Sequence, residues 1–377
     1  MRVLLTTDTI GGVWTYTKEL TEGLLQRSNA VALISLGRAQ SADQTAWCAS
    51  MKQLHPKHFQ YTASSAPLEW MDANDSAYSG AEPLLLDLVN RFQPDLLHAN
   101  QFCFGKLPVA LPKLVAAHSD VLSWARACRP DGLEPSPWLE RYMDLVQTGL
   151  LSANAVVAPT RWMLQALANN FALPDAAFAI LNGRHIAPSA PEVTRHLQAV
   201  SVGRLWDAAK GLSLLAEVDS PFPIKVAGEA KHASHSAPSS LGSANLLGKL
   251  DDPALLHLFR SSSIYLTPSI YEPFGLAPLE AALCGCAVLA RDIPSLREVW
   301  GSSALYFDDA PTLTSLLNDL ASDRRLLEDT RRRSLARARH LSRTRMTELY
   351  LNLYRQLLEP MQALRTPSHA EVTSRVP

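Results

Sequence analysis

Short apolar runs alternate with longer amphipathic stretches along this chain, and the alternation occurs twice. In the first round, residues 3–6, 31–35, 96–98, 114–117, 155–158 and 178–181 read as strands, and 14–27, 84–92, 139–151 and 161–170 read as helices. Pro188-Ser189-Ala190-Pro191 reads as a linker. In the second round, residues 199–202, 224–227, 246–247, 263–267, 287–290 and 304–307 read as strands. Residues 212–217, 253–260, 278–283, 312–320, 324–340 and 345–364 read as helices. Residues 39–80 are mixed and polar, and no element is assigned there. Residues 119–137, with three prolines, predict a long loop, and the Ser/Ala/His-rich 230–243 predicts another. The tail after Thr366 predicts disorder. Two successive βαβ arrays imply two doubly wound α/β domains facing each other.

The length, 377 residues, allows two or three domains with their own cores. A formal charge of −1 gives no global pull toward nucleic acid or anionic membrane. No apolar run approaches the length of a bilayer span. The N-terminus reads as a strand rather than a signal segment. Five cysteines are scattered, and Cys284-Gly285-Cys286 is too isolated for a zinc site. Reduced thiols in a cytoplasmic protein are expected.

Glu272-Pro273-Phe274-Gly275-Leu276-Ala277-Pro278-Leu279-Glu280 lies between an apparent strand and a short apolar helix. Ligands of α/β sheets bind at such strand ends. The free N–H groups of Gly275 and Leu276 can meet an anion that the helix dipole also favours. A molecule with a polar head, a phosphate and a polar tail can touch both glutamates. Taken singly, Glu280 also suits a helix start and Glu272 a solvated loop. Gly203-Arg204 and Lys210-Gly211 flank a turn after the first strand of the second round. An arginine fork and a lysine point charge suit a diphosphate, whereas a lone cation is ordinarily a solvated surface group. Gly11-Gly12 follows the first strand and permits close backbone approach, or simply a tight turn. His98 and His118 both end strands. No Asp-x-Asp occurs to hold a metal-bound diphosphate.

The nine-residue stretch resembles the E-x7-E motif of the retaining GT-B glycosyltransferases, specifically family 4, and the companion motifs extend the resemblance over almost the whole chain. The resemblance implies two Rossmann-like domains across a cleft, residues 1–188 for the acceptor and 189–345 for the nucleotide-sugar donor, with a helix at about 346–364 crossing back to the first. It implies that Glu272 touches the donor sugar near the transferring carbon. It also implies that Gly275 and Leu276 bind the diphosphate, that Glu280 binds the ribose, and that Phe274 and Leu279 join the nucleotide site. Arg204 and Lys210 match a G-R-x-x-x-x-K-G element, here one residue longer, that binds the diphosphate. Gly11 and Gly12 match the N-terminal glycine loop. Between the two histidines, the resemblance favours His118 as the one touching the sugar.

Asn182-Gly183-Arg184-His185 resembles the family's N-G-V-D turn but lacks the Asp. The expected co-substrate is a UDP- or GDP-sugar with a hydroxyl acceptor, and no cofactor or metal. Trp124, Arg126 and Arg129 are candidate acceptor contacts, placed only by their position beside His118. The arginine-rich helix at 324–345 reads as a solvated face or as a peripheral membrane contact. The rival readings are a non-catalytic sugar-nucleotide sensor and a GT-B-type isomerase or phosphorylase. A phosphorylase would need a lysine-bound pyridoxal phosphate, for which no signature is visible.

Overall fold

Seven strands form the first sheet: β1 (Arg2–Asp8), β2 (Ala30–Leu36), β3 (Phe59–Ala63), β4 (Leu96–Ala99), β5 (Lys113–Ala116), β6 (Ala155–Ala158) and β7 (Ala177–Ala179). Their order is β3-β2-β1-β4-β5-β6-β7, and every neighbouring pair is parallel. The computed structural model describes residues 1–187, 193–229, 231–232, 235–236 and 241–365. The linker read at 188–191, half of the loop read at 230–243 and the tail after Thr366 therefore lie outside the described residues.

The second half contains β8 (His196–Val202), β9 (Ile224–Ala227), a two-stranded pairing of β10 (Lys231–His232) with β11 (His235–Ser236), then β12 (Asn245–Gly248), β13 (Ser262–Thr267), β14 (Ala287–Arg291) and β15 (Leu305–Phe307). Its main sheet runs β12-β9-β8-β13-β14-β15, again all parallel. The strands are near-continuous apolar runs because helices cover both faces of each sheet. In each sheet the winding reverses once, between β1 and β4 and between β8 and β13. Those reversals open the crevices where α/β sheets bind ligands. The arrangement is the two-domain GT-B fold.

The first sheet has two apolar layers. On one face Leu4, Ile34, Leu97, Val115 and Val156 pack against Leu85, Val146 and Met163. On the other, Val3, Leu5, Val31 and Leu33 pack against helix Gly12–Gln26 and helix Arg343–Arg365. Met346, Tyr350 and Tyr354 of that last helix are buried there. The two helices meet at Gly23, where an added Cβ would lie 2.0 Å from Thr347 Oγ1. A side chain at that crossing would have to displace Thr347.

Two segments differ from the sequence-based expectation. Residues 119–137 are not one long loop, because Val121–Cys128 is a helix whose N-cap, Asp120, accepts from Ser123 N at 2.9 Å. Residues 39–80, to which no element was assigned, contain helix Ala42–Leu54 and β3. The helix read at 212–217 is present with those bounds, as the 3₁₀ helix Leu212–Glu217.

Candidate functional site

The turns after β8 and β13 stand side by side because those strands are neighbours at the winding reversal. After β13, Gly275 adopts φ 88° and helix Leu276–Leu283 begins directly behind it. An added Cβ at Gly275 would sit 2.8 Å from Pro278 Cγ, so the bend needs glycine both for its left-handed backbone and for space. The first N–H groups of the helix have no intrahelical partner. After β8, the 3₁₀ turn Ala208–Lys210 is stitched to the β13 turn by Ile270 N donating to Ala209 O at 2.9 Å. This brings Lys210 Nζ to 2.7 Å from Glu272 Oε2, both part-buried. Arg204 pairs with Asp207 at 2.5 Å and lies 5.1 Å over the Trp206 ring, with its side chain 41% exposed.

The first half faces these turns. A Cβ on Gly12 would touch Leu276 Cδ1 at 3.5 Å, so the glycine turn after β1 abuts the start of helix Leu276–Leu283. Gly11, the N-cap before it, has φ 67°. Ser119 Oγ and Tyr271 OH are hydrogen-bonded across the halves at 2.8 Å. Thr160 Oγ1 donates to Pro273 O at 2.9 Å. Glu298 accepts from Arg161 N and Trp162 N, so a carboxylate of the second half caps a helix of the first.

His118 is partly exposed, two residues beyond the end of β5. Its Nε2 is 2.7 Å from Asn100 Oδ1. Asn100 Nδ2 donates to Thr6 O and Thr17 Oγ1, which fixes its amide with Oδ1 toward the imidazole. Nε2 therefore carries the proton, and Nδ1 is left as an acceptor. Burial pushes the His118 pKa down to about 4, so the ring is neutral at physiological pH. His98 is fully buried instead, with Nδ1 2.6 Å from Tyr354 OH and Nε2 3.2 Å from Tyr16 OH. It belongs to the core between the first sheet and the last helix.

Several anticipated contacts are placed differently. Phe274 and Leu279 are buried among Leu296, Val299 and Trp300, so their side chains serve the core and do not face the cleft. Arg126 reaches Asn170 Oδ1 at 2.8 Å, and Arg129 lies 5.4 Å over the Trp124 ring. All three sit on or at the end of helix Val121–Cys128, which packs against the Lys210 turn. In the arginine-rich helix Arg324–His340, Arg331 donates to Gly285 O, Arg333 to Ser302 O and Arg337 to Val299 O. These cations clasp the second half.

Glu280 is buried, not open. Its Oε1 lies 2.7 Å from Arg184 Nε, and Arg184 also binds Glu19 of the first half. Sequence reading missed Arg184 and Glu19 as partners, since they are 165 residues apart. Asp8, at the end of β1, was missed too. Burial raises its pKa to about 7, and Ile10 N donates to it at 3.0 Å. Its place at the end of the strand that borders the winding reversal was the available signal.

Two family models match this chain, glycosyltransferase family 4 over residues 10–186 and glycosyl transferases group 1 over residues 197–335. The chain belongs to glycosyltransferase family 4. Among curated proteins, this family 4 chain is 29% identical over 129 residues to a serotype-specific mannosyltransferase of Escherichia coli, covering 34% of the chain and 16% of the relative. It is 26% identical over 256 residues to alpha-maltose-1-phosphate synthase of Mycobacterium tuberculosis, covering 56% and 64%. The matched segments thus span less than two thirds of either relative. Its fold matches sucrose-phosphate synthase of Thermosynechococcus elongatus with TM-score 0.73 and 17% identity, over 96% of this chain and 100% of that one. Anabaena HepE, solved with UDP and glucose, matches with TM-score 0.69 and 16% identity over the same shares.

Proposed function

We propose that this protein is a retaining, metal-independent glycosyltransferase that moves a hexose from uridine or guanosine diphosphate to an acceptor hydroxyl. The observation that carries the reading is the juxtaposition of Lys210, Glu272 and the Gly275 bend on two neighbouring strand ends, opposite the Gly11-Gly12 turn. A departing diphosphate gains negative charge, and Lys210, Arg204 and the N–H groups of Gly275 and Leu276 would meet it. Lys210 must turn from Glu272 to do so, which frees that carboxylate for the sugar hydroxyls. His118 Nδ1 would accept from another sugar hydroxyl. Glu280 would bind the ribose.

Glu272, the carboxylate nearest the proposed sugar position, is given to the sugar hydroxyls in this reading and is not the nucleophile. Front-face attack by the acceptor on a carbon with oxocarbenium character fits this better. The leaving phosphate oxygen then takes the acceptor's proton. The first half carries the acceptor, with Trp124 on helix Val121–Cys128 as its nearest wall. We read the arginine-rich helix as structural, given its carbonyl partners. None of the five cysteines is paired, which suits a reducing, cytoplasmic setting.

A thermal-shift screen across nucleotide sugars, run with a chelator, tests the reading. The donor should stabilise the fold by mass action, and glycosylated product should then form with chelator present. A chelator-sensitive reaction restored by a divalent ion would overturn the leaving-group assignment. Binding without any turnover would favour a sensor.

A further inference from the structure

We propose that Arg184 is a positioning residue for nucleotide binding, which holds the Glu280 carboxylate ionised and aimed while anchoring it to the first half. This rests on the reading that Glu280 binds the ribose. Arg184 Nε lies 2.7 Å from Glu280 Oε1, and its Nη1 binds Glu19 Oε1. The side chains of Arg184, Glu280 and Glu19 are 11%, 12% and 0% exposed. Glu19 also accepts from Arg343 Nε at 2.5 Å and from His185 N at 3.1 Å. Arg343 Nη2 in turn reaches Glu22 Oε2 at 2.7 Å. The backbone pins the arginine as well, since Arg184 N donates to Leu341 O at 3.0 Å. A single guanidinium thus joins helix Gly12–Gln26, the crossover between the halves and the donor-side helix.

The chemistry follows from the burial. A carboxylate that binds two adjacent hydroxyls must be ionised and must keep acceptor sites free. Burial pushes the Glu280 carboxyl up, and Arg184 pulls it back by charge and hydrogen bond. The other groups facing Glu280 are Glu19 and Asp252, which disfavour its ionisation, and the neutral Tyr265 and Cys284. Arg184 is the cation in hydrogen-bonding contact with Glu280. One carboxylate oxygen is committed to it, and the guanidinium fixes the plane in which the remaining acceptor sites point. The sequence N-G-R-H carries an arginine where the resembled turn has an apolar residue, so this device belongs to the present chain.

Calorimetric titration with uridine and guanosine diphosphate at pH 6 and pH 8 tests it, on the full chain and on Arg184→Lys, Arg184→Met and Glu280→Gln. The terminal phosphate of the nucleotide itself titrates near 6, so each variant is compared with the wild type at the same pH. Arg184→Met should bind roughly tenfold more weakly at pH 6 and recover part of the loss at pH 8, as the unpartnered Glu280 ionises. Arg184→Lys keeps the charge but loses the fork that joins Glu280 to Glu19, and should fall between the wild type and Arg184→Met. If Arg184→Met does not fold, the double variant Arg184→Met/Glu19→Gln, which removes the second stranded carboxylate, carries the same comparison. Wild-type affinity in Arg184→Met, or an equal loss at both pH values, overturns the positioning role. Unchanged affinity in Glu280→Gln instead overturns the ribose assignment itself, so the two failures are distinguishable.

Discussion

Lys210→Met removes one charge and little else. The lysine stem lies across Gly203, where an added Cβ would meet Lys210 Cγ at 3.0 Å, and an unbranched methionine keeps that packing. What disappears is an ammonium 2.7 Å from Glu272, with the two side chains 23% and 15% exposed. At an effective dielectric of about 20, unit charges roughly 4 Å apart interact by about 4 kcal/mol. The same ammonium, turned toward a departing diphosphate, would supply an attraction of that order, lessened by solvent. Loss of a single electrostatic stabiliser typically costs ~10²–10³ in kcat, and partial exposure here points to the lower figure, about a hundredfold. Negative charge on the diphosphate grows as the glycosidic bond breaks, so the loss should fall on kcat more than on donor KM. Steady-state kinetics with the donor found by thermal shift would measure it. A folded Lys210→Met enzyme with kcat within about twofold of wild type would return Lys210 to an ordinary surface charge and refute the reasoning.

Asp8 should make stability depend on pH. Its folded pKa of about 7 lies above the ordinary 3.8, so the folded state holds the proton more tightly than the unfolded chain. Stability should therefore fall as pH rises from about 4 to about 7 and level off above. Thermal unfolding of Asp8→Asn over that range should show a flatter profile, and an unaltered slope would place the titration elsewhere. Gly23→Ala should cost about 1–3 kcal/mol through overpacking on Thr347, more than the up to ~1 kcal/mol gained in helix propensity. Urea unfolding decides this, and a net gain in stability would show that the two helices can separate at no cost.

The parts of the fold legible in sequence were those whose signal is local. Ile264-Tyr265-Leu266 is a short apolar run of good strand formers, and Gly275 with Pro278 marks the bend and helix that follow. Helix Val121–Cys128 was missed because Pro130, Pro135 and Pro137 were read as breaking the whole segment, although all three lie beyond its last residue. Helix Ala42–Leu54 did carry a local sign, the Ser41–Gln44 capping box, but its apolar residues do not form one clean stripe, and only Cys48 and Met51 are buried. In the site, the motif marked Glu272, Gly275 and Lys210, yet not what each touches. The Lys210–Glu272 pair spans 62 residues and the Arg343–Glu19 pair 324. No window of sequence reports such contacts, and Glu19, between Lys18 and Leu20, looks like any helix-surface acid. Phe274 and Leu279 were assigned to the ligand by their place in the motif, but an apolar side chain behind a bend is claimed by the core first.

Calorimetric titration of Glu272→Gln with the nucleoside diphosphate and with the intact nucleotide sugar tests most directly whether these two strand ends hold a sugar donor with its hexose at Glu272. The swap is close to isosteric, so the bend should persist. The nucleoside diphosphate has no sugar for Glu272 to touch and should bind the variant at least as well as the wild type, since Lys210 loses its competing carboxylate partner. The nucleotide sugar should lose the extra affinity its hexose confers, and turnover should fall mainly in kcat. Equal weakening of both ligands would mean that Glu272 serves the nucleotide or only shapes the turn, and the sugar would have to lie elsewhere.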